Sequence, residues 1–448
     1  MKAATPVKSE AEKALATTWA KTKDALPGKG SVAARREAAF EAFAAAGLPN
    51  RRVEEWKYTD LRNLMREAKP LAPPVGPAGL VRAQGAGRVF AAVGVRRLVL
   101  IDGQFISELS DLADLEPGLS IGSLAEALAA NDTDVVARLG AKSPADKDVA
   151  FALNTAFMGD GLVIAVAPGM QIARPIHLVH CYTGEEAAAV FTRSLVTLGG
   201  GAGLTLLESH EGPDGIDYQV DNALDIVVGD GARLERVKVG AEGDAALHVS
   251  TTVVVLGREV EFRDLLFTTG GAVSRNQVFV RCDGPGTTLT LDGASLLKGR
   301  QHSDATLVVD HAIGGCKSRE TFKAVLDGES RSVFQGKTVV RPDAQKTDGK
   351  MASHALLLSN DAEADHKPEL EIFADDVVCG HGATAGALDE DLKFYLMARG
   401  IPEREAETLL IQSFVGEVID QVADESVRDA LTEATTAWLD AREQVELR

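Results

Sequence analysis

A cysteine and a histidine two residues apart, in Cys379-Gly380-His381-Gly382, form the pattern in this sequence best suited to chemistry. On an extended strand, residues i and i+2 point to the same side, so the thiol and the imidazole face one space. Both groups are ligands for iron or zinc, and a thiolate can accept sulfur. Two ligands do not close a four-coordinate site, so a functional site here would be completed by another chain. The plainer alternative is a buried cysteine beside a histidine that hydrogen-bonds a turn.

Other catalytic patterns fail on inspection. Gly336-Lys337-Thr338 resembles the end of a phosphate loop, but Arg331 stands where the first glycine is needed and the surrounding SRSVFQGKTVV reads as a strand. Gly199-Gly200-Gly201-Ala202-Gly203 is followed by Leu204 and more strand, so it reads as a tight turn, not a dinucleotide fingerprint. Asp375-Asp376 suits a turn, and Asp389-Glu390-Asp391 suits a helix N-terminus, where negative charge is favoured. His302 and His311 flank one strand and read as turn hydrogen-bonders. His354 and His366 fall in a polar connection.

The frame that positions these residues is bounded by composition. The chain has 448 residues, 45% hydrophobic and 25% charged, as expected for a folded protein with a full core. Its length suits two to four domains or one elongated fold. The formal net charge of −19 disfavours general binding to nucleic acid or anionic membranes. Cys181, Cys282, Cys316 and Cys379 are too sparse and too far apart for a disulfide scaffold, which predicts a reducing, cytoplasmic setting. The first nineteen residues carry charges throughout, with no apolar leader core, and no run approaches a membrane span.

Three textures follow one another. Residues 1–67 read as helical, with Ser31 as a helix cap and Gly47 as a helix stop; residues 68–88, rich in Pro and Gly, read as a linker. Residues 89–385 read as all β, with almost no helical periodicity. Val278, Val280 and Cys282 alternate with Gln277, Phe279 and Arg281, and Leu289 and Leu291 alternate with Thr288, Thr290 and Asp292. Short strands at even spacing fit a sandwich, a barrel or a coiled solenoid. The length of the region and the 5% aromatic content favour the solenoid. No strict repeat can be extracted. Residues 386–448 are helical again, with Leu392, Tyr395 and Leu396 on one apolar face.

Residues 370–401, LEIFADDVVCGHGATAGALDEDLKFYLMARGI, resemble the C-terminal signature of the SufB/SufD family of iron–sulfur cluster assembly proteins. Phe334-Gln335-Gly336-Lys337 and AQKTDGK (344–350) match the same family, and RRVEEWKYTDL near the N-terminus is similar to its SufD branch. Met351-Ala352-Ser353-His354 departs from the family, which tends to have Gln and Asn there. The resemblance implies a right-handed parallel β-helix body with N-terminal and C-terminal α-helical regions. It implies a non-enzymatic scaffold subunit that pairs with a SufB-like chain, binds the SufC-like ATPase through its C-terminal helices, and shares a transient iron–sulfur cluster at the SufB interface. The family's interface histidine falls on His381, a metal ligand completed by the partner, and the neighbouring thiol on Cys379. Phe414, Val418 and Trp438 are the apolar tail residues expected to dock the ATPase, on a tail expected to be separable from a β body that folds alone. A homodimer is a further possibility for the chain by itself. The rival reading is a β-helix carbohydrate-active enzyme or acyltransferase, but neither an Asp/Lys/Arg cluster on one sheet face nor strict hexapeptide repeats are evident.

Overall fold

The computed structural model describes residues 8–143, 145 and 147–446; the first seven residues of the stretch read as lacking a leader lie outside it. From Ala189–Leu198 onward the chain alternates between two sheets, and each strand pairs in parallel with the strand two places earlier. The result is a parallel β-solenoid of about eight turns with helical regions at both ends, as the sequence predicts. Gln219, Leu247, Val273, His302, Arg331 and Glu363 stand one above another across neighbouring strands, separated by 26 to 32 residues. That uneven spacing is why no repeat is evident from the sequence.

The predicted alternation holds. Val278, Val280, Cys282, Leu289 and Leu291 fill the interior with the other Leu, Ile and Val ladders. Phe279 points outward against Phe151 and Val253. The predicted glycine turn after Leu198 has Gly201 at φ 69°, a left-handed conformation that favours glycine.

Both outer faces are clad by helices. On the nine-stranded sheet, Leu247 and Val249 pack under Trp19, Phe43 and Phe157. Ser9 caps the helix Glu10–Thr22 in a reciprocal pair with Glu12. The next helix, Ser31–Ala46, is preceded by Gly30 at the cap, not by Ser31, whose hydroxyl instead lies 3.3 Å from the Asn131 side chain. Gly47 ends that helix at φ 75°, as expected. Residues 68–88 are not a free tether: Leu71 bridges to Ala189, and the Lys69 N–H donates to Gln219 Oε1 at 3.1 Å.

Three helices, Leu124–Ala129, Thr133–Arg138 and Val149–Phe157, interrupt the span read as all β. Two have only six residues, too short to show a period. In the third, seven of nine residues are buried, so its apolar residues run all round and no stripe forms.

The two ends of the solenoid differ. At the N-terminal end, Arg96–Ile101 pairs antiparallel with Gln104–Phe105, and Leu119–Ser123 pairs antiparallel with Leu162–Val166, which closes both sheets. At the C-terminal end, the last strands, Glu363–Ile372 and Val378–Gly386, have no strand beyond them among the described residues. Among those residues, no helix is long and apolar enough to cross a membrane.

Candidate functional site

The strand Val378–Gly386 carries Cys379 and His381 at the open end, on the same side as expected. Its other residues are mostly Gly, Ala and Thr, so the edge is flat and its backbone is accessible. In register, Cys379 lies beside Gly349 and His381 beside Met351, an interior residue. His381 is exposed and, among the described residues, makes no side-chain hydrogen bond. Cys379 is half-buried, and burial pushes its thiol up despite the Gly349 N–H that favours the thiolate. Left to this chain, the pair is one reluctant thiol and one unengaged imidazole. Gly336-Lys337-Thr338 lies within the strand Arg331–Val340, as read.

The structure assigns different roles to the remaining histidines. His302 is no turn residue: its ring lies 2.9 Å from the Thr59 hydroxyl. His354 and His366 sit on the strands Asp348–Leu357 and Glu363–Ile372, not in a connection. The contact to Thr59 also explains the RRVEEWKYTDL stretch. Trp56 lies beneath the Arg275 guanidinium at 3.8 Å and donates from Nε1 to Asp148 at 3.1 Å. Arg275 donates to the Glu55 carbonyl at 2.7 Å and pairs with Asp304, which Thr59 also contacts. The segment is a clamp that fixes the N-terminal helices to the nine-stranded sheet.

Phe414, Val418 and Trp438 are not a docking surface. Val418 and Trp438 are buried, and all three belong to one apolar cluster with the outer face of the ten-stranded sheet. Phe414 also lies 4.4 Å from the Lys323 ammonium. A helical tail beside a bare apolar sheet face buries its stripe there first. In the tail, exposed apolar side chains gather on the preceding helix, Glu390–Ala398, which buries none of its residues. Leu392, Phe394, Tyr395 and Met397 are all exposed, with Phe394 at 72%. Asp389 caps this helix through the amides of Asp391 and Leu392, as read from the sequence.

Sequence reasoning missed a polar seam inside the solenoid. Arg236 donates to Glu208 and Asp264 at 3.0 Å, Lys238 lies 3.0 Å from His248 Nε2, and His248 Nδ1 lies 2.9 Å from Glu242. Burial pulls Lys238 down to about 7. The residues are scattered over four strands and the connection after Arg233–Ala241, so only the turn spacing would have aligned them.

Comparison with known proteins agrees with this architecture. Residues 180–414 match the family profile described as "SUF system FeS cluster assembly, SufBD core domain", and residues 10–70 and 91–178 match "SufBD protein N-terminal region". The chain is 30% identical to the iron–sulfur cluster assembly protein SufD of Escherichia coli over 385 residues, covering 85% of this chain and 87% of that one. It is 29% identical to an iron–sulfur cluster assembly SufBD family protein of Synechocystis over 413 residues, covering 90% of each. SufD of Bacillus subtilis is 28% identical over 288 residues, 62% of this chain and 64% of that one. The two profile matches, together with 30% identity to the Escherichia coli SufD over 85% of the chain, place it in the SufB/SufD family of iron–sulfur cluster assembly proteins.

Proposed function

We propose that this chain is a non-catalytic scaffold subunit whose open solenoid end joins a SufB-like chain, with the nascent cluster assembled against His381 and Cys379. The observation that carries this reading is the asymmetry of the ends. Unpaired parallel strands at the open end offer a row of backbone donors and acceptors that water alone satisfies, and edges of this kind favour pairing with another chain. The small residues of Val378–Gly386 admit a close neighbour, and His381 faces that neighbour unengaged. A neutral imidazole can ligate iron, and a protonated one can stabilise a sulfide or persulfide anion. When no SufB-like chain is present, a second copy can occupy the same edge.

The SufC-like ATPase docks on the helix Glu390–Ala398 in this reading. Exposed Leu392, Phe394, Tyr395 and Met397 on one short helix support it, since aromatic and Met side chains are typical anchors.

The test is co-expression with SufB-like and SufC-like chains. His381→Ala is expected to leave folding and partner retention intact and to lower the cluster yield of the complex severalfold, and Cys379→Ala to lower it less. Wild-type yield from a well-folded His381→Ala complex would remove the histidine from the assembly site. Phe394→Asp is expected to release the ATPase while the SufB-like chain stays bound, because a carboxylate in a desolvated anchor position costs roughly 2 kcal/mol or more of binding. Full retention of the ATPase would place its docking surface elsewhere.

A further inference from the structure

We propose that Cys282, His311 and Cys316 form a metal site belonging to this chain alone, inside the solenoid, that takes a thiophilic divalent cation of the zinc class. Cys282 and His311 end the strands Val273–Cys282 and His302–His311 and are direct cross-strand partners with their side chains inward. The chain then turns through Gly315, at φ 77°, and returns Cys316 to the same corner. All three residues are fully buried, and their ligand atoms lie within 4.8 Å of one another. Around a tetrahedral ion bound at about 2.3 Å to sulfur, ligand atoms stand roughly 3.8 Å apart, so a contraction of about 1 Å completes three corners. The Gly284 carbonyl, 3.4 Å from Cys316 Sγ, is placed to supply a fourth.

Two further observations point to an ion. The Ser318 hydroxyl holds His311 through Nε2 at 3.2 Å, the kind of contact that orients a ligating ring. Nδ1 of the same ring is buried without a hydrogen-bond partner.

A second group with comparable spacing, His210, Glu242 and His248, is already served. The Lys238 ammonium sits 3.0 Å from His248 Nε2, and the Tyr218 hydroxyl donates to Glu242 at 2.5 Å. The thiol site has no such occupant. It also lies in line with the open end: Ser318, Gly349 and Cys379 are successive partners across three strands. A β-carbon at Gly349 would lie 3.3 Å from Ser318 Oγ and 3.7 Å from Cys379 Sγ, so only a missing side chain separates the two.

The test uses the full chain alone, reduced, stripped with chelator and titrated with Co²⁺. One equivalent is expected to bind with thiolate-to-cobalt charge transfer and tetrahedral d–d absorption, both bleached by Zn²⁺. Cys316→Ala and His311→Gln should abolish the bands, whereas Cys379→Ala should keep them. Absent bands in the wild type, or bands that survive in a folded Cys316→Ala chain, overturn the proposal. Should both variants fail to fold, the wild type decides: Zn²⁺ must slow alkylation of Cys282 and Cys316 in the reduced chain, and unchanged alkylation overturns it. So does a Cys282–Cys316 disulfide in chain isolated anaerobically.

Discussion

A chain ending at residue 388 is expected to aggregate, not to persist as a free β body. The helices Glu403–Ile419 and Glu425–Glu446 cover Val237, Val239, Leu265, Phe267, Leu296 and Val325 on the outer face of the ten-stranded sheet. Uncovering an apolar side chain of this size costs about 1.5–3 kcal/mol, so six of them together rival the net stability of about 5–15 kcal/mol typical of a domain. The bared strip would also be contiguous, and large contiguous apolar patches drive association. Size-exclusion chromatography and dye binding check this: the shortened chain should elute as aggregate and bind a hydrophobic dye, unlike the full chain. A monomeric product with the full-length melting temperature would show that the tail is separable after all. Against the expectation read from the sequence, that the tail could be removed without harm to the β body, stands the tail's apolar stripe, which is the lid of the sheet. Point changes on Glu390–Ala398 are therefore the usable probe of ATPase docking.

Arg236→Ala is expected to destabilise the protein by about 3–5 kcal/mol, far more than loss of an exposed pair, worth about 0–1 kcal/mol. Arg236 is fully buried between Glu208 and Asp264 and bonds both carboxylates. Burial pushes both acids up. Arg236 and His210 nonetheless hold Glu208 well below its usual range, whereas Asp264 stays raised. Without the guanidinium, burial acts unopposed by that cation and both acids take up protons in the folded chain. A folded pKa raised above the unfolded value makes the folded state bind more protons, so the variant loses stability as pH rises through that window. Its deficit should be larger at pH 8 than at pH 5. Arg236→Lys should recover only part of the loss, since one ammonium cannot fork to two carboxylates. Arg236→Met combined with Glu208→Gln and Asp264→Asn should recover more. Urea melts at both pH values decide; a loss under 1 kcal/mol for Arg236→Ala would mean that water enters the seam.

Much of the fold was legible because its signal is local. The alternation of Val278, Val280 and Cys282 against Gln277, Phe279 and Arg281 needs only six residues to read, and Gly47 marks a helix end where φ turns positive. Cys379 and His381 were legible for the same reason, since two residues on one strand share a face. What escaped was non-local. Cys282 and His311 are adjacent in space only because one turn of this solenoid spans 29 residues there, whereas other turns span 26 to 32. Val149–Phe157 escaped because a helix buried all round carries no stripe. The outward reading of Phe414, Val418 and Trp438 failed for a related reason: amphipathicity shows that a face is apolar, not what covers it.

The unequal ends of the solenoid have one more consequence. In a stack of turns, each interior turn is held by two neighbours and the final one by a single neighbour. The final turn is therefore the first to fray, and its backbone amides exchange with solvent most readily. Cys379 and His381 ride on that turn. A chain seated on the edge supplies the missing neighbour, so association and the ordering of these two side chains become one thermodynamic event. In the proposed reading, the chain keeps these two side chains loosely arranged while it is alone and fixes them only when a second chain is seated on the edge.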